Sequence, residues 1–137
     1  MTDNVALVQA AYDGLAKGDA GPLLDILHDE VQWFEAEHSM YWPGGAFVGP
    51  QAVVENVLAR IPEDHDDFRI EIRRVLGCGD TVLVEARYHA TAAKATGKPL
   101  ELQAAHVWDF ETGKVVRWQQ YIDTWQEARL TGVEPVS

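Results

Sequence analysis

Phe68-Arg-Ile-Glu-Ile72, Thr81-Val-Leu-Val-Glu-Ala-Arg-Tyr-His89, Leu100-Glu-Leu-Gln-Ala104 and Val115-Val-Arg-Trp-Gln-Gln-Tyr-Ile122 follow one another in the second half of the chain, and their reading decides the fold. Side-chain character changes with a period of two, the spacing of half-buried strands. Gly77-Cys-Gly-Asp80, Thr96-Gly-Lys98 and Glu111-Thr-Gly-Lys114 punctuate them with turn residues. The spacing therefore predicts an antiparallel meander: a strand from Phe68, then Thr81–Ala93, Leu100–Phe110 and Val115–Asp123. Asp123 with Gln126 three residues on has the capping-box pattern, so a short helix through Leu130 is expected after the last strand.

Upstream the period is helical. Val5, Val8, Tyr12 and Leu15 recur at three- and four-residue steps, with Thr2 or Asp3 as cap and Gly18 past the end, which predicts a helix over residues 3–17. Asp19 is placed to cap a second helix bearing Leu23, Leu24 and Leu27, ending near His28. A strand is expected over Val31–Ala36, an aromatic loop over residues 37–49, and a third helix from Pro50 to Pro62. Glu63–Asp67 reads as an acidic connector. Helices segregated from a meander make an α+β fold: a cone-shaped roll, with three N-terminal helices on a curved, mainly antiparallel sheet and a mouth near the loop. Such a concavity is the usual seat of a small-molecule site.

The chain has 137 residues, 47% of them hydrophobic, which fits one domain because two cores need roughly 100 residues each. Its formal net charge is −11, and the imbalance is local: residues 1–67 hold thirteen acids against Lys17 and Arg60, whereas residues 68–137 hold nine of each sign. With no basic stripe, nucleic acid and anionic membrane surfaces are excluded as expected partners. Cys78 is the single cysteine and cannot form an internal disulfide, and Met1-Thr-Asp-Asn4 carries no cationic leader, so the expected compartment is the cytoplasm. The five histidines show no short paired spacing, and neither a metal nor another cofactor is expected.

Several local motifs occur in order: Ala16-Lys-Gly-Asp19, Leu27-His-Asp-Glu-Val31 before Trp33, Gly49-Pro-Gln-Ala-Val53, Gly79-Asp-Thr-Val82, His106-Val-Trp-Asp-Phe110 running on to Val116, and Tyr121-Ile-Asp123. In these the chain resembles the SnoaL-like and ketosteroid isomerase-like branch of the nuclear transport factor 2-like superfamily, over about residues 4–130. The resemblance implies a cystatin-like α+β roll that commonly pairs as a homodimer. It also implies activities ranging from isomerase, cyclase and dehydratase chemistry to plain ligand binding. The ketosteroid isomerase base falls on Glu35. That family's two oxyanion donors fall on Ala11, next to Tyr12, and on Ala105. The cyclase pattern matches at His106 but has Gln120 where its acid stands. The epoxide hydrolase pattern keeps Arg87 and has His89 and Gln120 in place of two aspartates.

Read from the residues themselves, Glu35 closes an apolar strand on the face of Trp33. It either sits among aromatics, where desolvation would raise its pKa, or faces water. Glu37 shares its alternation and is either its neighbour or solvated. Glu85, Arg87 and His89 take one face of a strand and Val82, Val84, Ala86 and Tyr88 the other, and the alternation leaves open which face lines the cavity. The candidate catalytic residues are Glu35, Arg87, Gln120 and His106. Tyr12, Trp33, Tyr41, Trp42, His89, Trp108 and Trp118 are the candidate walls, with the loop from Tyr41 to Phe47 as a possible lid. The expected partner is a small apolar or carbonyl-containing molecule, either turned over or held, and a dimerisation module with a filled core is the remaining alternative.

Overall fold

In the computed structural model, which describes residues 3–133, α1 (Asn4–Ala16) begins at Asp3, whose carboxylate accepts from the Ala6 N–H at 3.1 Å. Thr2, the other cap considered, lies outside the described residues. Next come α2 (Gly21–Ile26), β1 (Leu27–Phe34), β2 (Phe47–Val48), α3 (Pro50–Val53) running into a π-helical turn (Val54–Leu58), α4 (Ile61–Asp64) and β3 (His65–Asp66). The meander follows as β4 (Arg69–Cys78), β5 (Thr81–Ala90), the short β6 (Ala92–Ala93), β7 (Leu100–Glu111) and β8 (Lys114–Ile122), and α5 (Thr124–Thr131) ends the series. The α+β expectation is borne out: six strands form one sheet in the order β2-β1-β8-β7-β5-β4.

Several boundaries differ from the sequence reading. The second helix ends at Ile26, and Leu27 begins β1, which pairs in parallel with β8 through a bulge between Leu27 and Gln32. Asp19 still serves that helix, accepting from the Gly21 N–H at 2.8 Å, though Ala20 is the cap residue. Pro62 does not close the third helix; it sits in the first turn of α4, where its missing N–H costs nothing. The strand expected to reach Ala93 stops at Ala90, and Ala92–Ala93 turns aside to pair with His65–Asp66 from the supposed connector. At the far end Asp123 accepts from the Gln126 N–H at 3.0 Å and Gly132 closes α5 in the left-handed region, as the capping pattern requires.

The core lies between α1 and the concave face of the sheet. Val82, Val84, Ala86 and Tyr88 of β5 are buried there with Val8, Ala11 and Tyr12 of α1, and Leu100, Leu102, Ala104 and Trp108 of β7 join them. Gly77 shows how closely helix and sheet approach, because a Cβ at that position would stand 2.8 Å from the Val5 side chain. Among the described residues no helix is long and apolar enough to cross a membrane.

Candidate active site

The curvature leaves a cavity of about 70 Å³ between α1, α4 and the inner faces of the long strands. Drug-sized sites occupy roughly 300–1,000 Å³, so this one holds a ligand of only a few heavy atoms unless its walls move. Leu15, Leu58, Ile61, Phe68 and Ile70 are partly exposed and form an apolar rim. Inside, Trp33 and Trp118 stack with ring centroids 3.7 Å apart, and Trp108 meets both Tyr12 and Trp118 edge-on. The pairing of β1 with β8 sets Trp33 opposite Trp118, and that of β7 with β8 sets His106 opposite Gln120.

Glu35 follows β1 directly and is 2% exposed on the cavity wall. Its Oε2 accepts from Trp33 Nε1–H at 2.8 Å, while among the described residues Oε1 has no hydrogen-bond partner. Burial pushes its pKa from 4.5 up to about 7, the indole N–H working against the rise and the charge of Glu127 adding to it. Glu127 comes from α5 and lines the same cavity, with its Oε1 accepting from the Met40 N–H at 2.9 Å. Burial raises this carboxyl to about 7 as well, with the Met40 N–H opposing. The charge of Glu127 adds to the cost of ionising Glu35, so the pair disfavours the doubly charged state.

Opposite the acids lies a neutral polar chain. His106 is 1% exposed, and its two ring nitrogens are hydrogen-bonded to the hydroxyls of Tyr12 and Tyr88. Trp108 Nε1–H donates to the Tyr12 hydroxyl at 3.1 Å and Gln120 Nε2–H to the Tyr88 hydroxyl at 2.9 Å. Gln120 Oε1 accepts from the Ala36 N–H at 3.0 Å, which ties the residue after Glu35 to β8. Burial drives the His106 pKa down to about 3 and raises those of both tyrosines, so all three groups are uncharged at neutral pH. Trp118 Nε1–H is buried without an acceptor among the described residues.

The cavity therefore gathers Glu35, His106, Gln120, Tyr12, Trp33, Tyr41, Trp108 and Trp118. It does not gather Arg87, His89 or Trp42. Because Val82, Val84, Ala86 and Tyr88 turn inward, Arg87 and His89 fall on the convex face, where Arg87 pairs with Glu101 at 3.3 Å and His89 with Glu71 at 2.7 Å. Their placement on the cavity wall is corrected by that register. Trp42 packs edge-on against His38 away from the cavity, and the loop reaches it through Met40 and Tyr41, the Tyr41 hydroxyl donating to Asp64 at 2.9 Å. Glu37 is exposed, and the carboxylate whose charge acts on Glu35 is that of Glu127.

Glu127 and Tyr88 are the site residues the sequence reading missed. Glu127 stands one helical turn before Thr131, and both are buried, a placement that no local pattern in the sequence marks. Tyr88 belongs to the apolar alternation of β5, and its hydroxyl is its only mark of function. Ala105 is partly exposed and bears no donor, and Ala11 is buried, but Tyr12 beside it brings a hydroxyl to the cavity.

A curved sheet wrapped over one long helix around a blind apolar cavity is the architecture of the nuclear transport factor 2-like class. The sequence matches the model of the SnoaL-like domain over residues 8–118, and the chain belongs to that family. Among solved structures, a nuclear transport factor 2-like protein from Burkholderia thailandensis is 26% identical with a TM-score of 0.88, over 95% of this chain and 98% of that one. TerC, co-crystallised with polyporic acid, is 27% identical with a TM-score of 0.82, over 95% of this chain and 98% of that one. A protein of ketosteroid isomerase-like fold from Catenulispora acidiphila, in complex with trimethylamine, shares the fold at 16% identity and a TM-score of 0.76, covering 97% of this chain and 95% of that one. No curated protein matches the sequence significantly. α5, which brings Glu127, lies beyond the residues matched to the family model.

Proposed function

We propose that the protein is a cofactor-independent enzyme that moves a proton next to the carbonyl of a small apolar molecule, in the manner of an isomerase, cyclase or dehydratase. One observation carries this reading: Glu35 is a desolvated carboxyl with a free oxygen on an apolar cavity wall and a pKa of about 7, where a base is best poised for catalysis at neutral pH. Its carboxylate takes the α-proton, the C–H electron pair moves into the enolate, and the proton is returned to the same or a neighbouring carbon. Deuterium wash-in to cyclopentanone tests the reading. Exchange above the buffer rate supports it, and a ketone that binds without exchange overturns it.

The size of the cavity favours a second reading, a binding module that holds a small organic ligand without turnover. TerC with polyporic acid and the Catenulispora protein with trimethylamine are relatives of this fold holding small molecules, which supports a ligand site under either reading. The exposed lone Cys78 suits a reducing compartment, and we place the protein in the cytoplasm.

The assembly proposed is a homodimer formed through the convex face. Leu83 there is 38% exposed, Arg87 Nε–H is buried without a partner among the described residues, and the apolar strand residues Val82, Val84 and Tyr88 all point the other way. Light scattering at micromolar concentration should give about twice the chain mass of 15.3 kDa. A mass equal to one chain would refute the dimer.

A further inference from the structure

The hydrogen-bonded chain at His106 has a proton count that the protein by itself does not balance. A neutral imidazole carries one N–H and one bare nitrogen. Each tyrosine carries one O–H, so the three groups hold three protons between them. Only two hydrogen bonds join them, Tyr12 to Nδ1 and Tyr88 to Nε2. The outer positions cannot absorb the remainder, because Trp108 Nε1–H and Gln120 Nε2–H both donate inward, and Gln120 Oε1 already accepts from Ala36. One tyrosine donates to the bare nitrogen; the other accepts the imidazole N–H and keeps a hydroxyl proton with no acceptor among the described residues. Both tyrosines line the cavity and are at most 7% exposed, so that proton has little access to bulk water. The buried Trp118 Nε1–H, also on the cavity wall, likewise lacks an acceptor among the described residues. Buried donors without partners cost stability, and a ligand that satisfies them recovers it.

We propose that the cavity is a receptor for a ligand oxygen, a carbonyl or an enolate, and that His106 is a tautomeric switch allowing either Tyr12 or Tyr88 to present the hydroxyl proton to it. The proposal deepens the proton-transfer reading above and rests on it for the ligand class. With the imidazole proton on Nε2, His106 donates to Tyr88 and Tyr88 faces the ligand; with the proton on Nδ1, Tyr12 does so. His106 is then a positioning residue. Glu35 stays separate from the relay, because it is hydrogen-bonded to Trp33 and not to either hydroxyl.

The test uses cyclopentanone and the conservative variants Tyr12→Phe and Tyr88→Phe in the full chain. Bound to the unaltered protein, the ketone should bind on the order of tenfold more tightly than methylenecyclopentane, its isostere without an acceptor. Its carbonyl stretch should move to lower frequency than in hexane. Each single variant should keep the lowered band, since the remaining tyrosine takes over the role, and the double variant Y12F/Y88F should lose it. Nitrogen NMR of His106 in the ketone complexes should find the proton on Nε2 in Y12F and on Nδ1 in Y88F. A band at its hexane position in the unaltered protein, a ketone bound no better than its isostere, one tautomer in both variants, or a charged imidazole would each overturn the proposal. Glu35→Gln should keep the lowered band. An unaltered protein that shows the lowered band but no deuterium exchange would sink the proton-transfer reading and leave the oxygen receptor standing.

Discussion

Glu35→Gln is expected to slow α-proton exchange of a bound cyclic ketone by on the order of 10²–10⁴-fold, the range over which a positioned general base contributes to rate. The amide keeps the shape of the side chain and can still meet Trp33 Nε1–H, the partner of Oε2. What it removes is the free carboxylate oxygen of Glu35, with its pKa near neutrality. Ligand affinity should change little. In the unaltered protein, exchange should increase as pH rises through about 7 and then level off, because only the ionised carboxyl accepts a proton. The Gln variant should be slow across the whole range. Equal rates for the two proteins would remove Glu35 from the chemistry and favour the binding-module reading.

The same burial that tunes Glu35 makes the fold less stable in base. The folded-state pKa values of Glu35 and Glu127 lie above their ordinary value of 4.5, at about 7. A raised carboxyl contributes stability in full below the unfolded pKa, and that contribution is lost as pH climbs to the folded pKa. Stability should therefore decline between about pH 4.5 and pH 7, where the unfolded chain has already released protons that the native state still holds. Glu35→Gln or Glu127→Gln, which cannot ionise, should raise unfolding free energy at about pH 8 by roughly 1–3 kcal/mol and change it far less at about pH 5. Because the two acids raise one another's cost of ionising, the double variant should gain less than the two single gains together. Urea titrations at the two pH values make the measurement. A loss of stability at pH 8 in both single variants would mean that the carboxylates are favourably paired, contrary to the geometry of the cavity.

Much of this protein was legible in local sequence. The period-two runs after Phe68, their glycine-bearing turns and the Asp123 cap specified β4, β5, β7, β8 and α5, because strand alternation and capping act over a few residues. Trp33 and Glu35 were legible as a pair for the same reason, lying two apart on one face of an extended segment. What alternation cannot supply is which face turns inward. Polar Glu85, Arg87 and His89 and apolar Val82, Val84 and Ala86 were equally regular, and only packing against α1 decided for the apolar set, sending Arg87 and His89 to the convex side and bringing Tyr88 to His106. Glu127 was out of reach for a different reason: it is hydrogen-bonded to Met40 and brings its charge to Glu35 across more than eighty residues of chain, a closure made by α5. The sequence by itself determined the long strands of the meander, the Asp123 cap and the identity of the base candidate, all consequences of short-range stereochemistry. The tertiary structure alone decided which side chains share the cavity, because desolvation, mutual charge and proton count arise only once residues distant in the chain exclude water together.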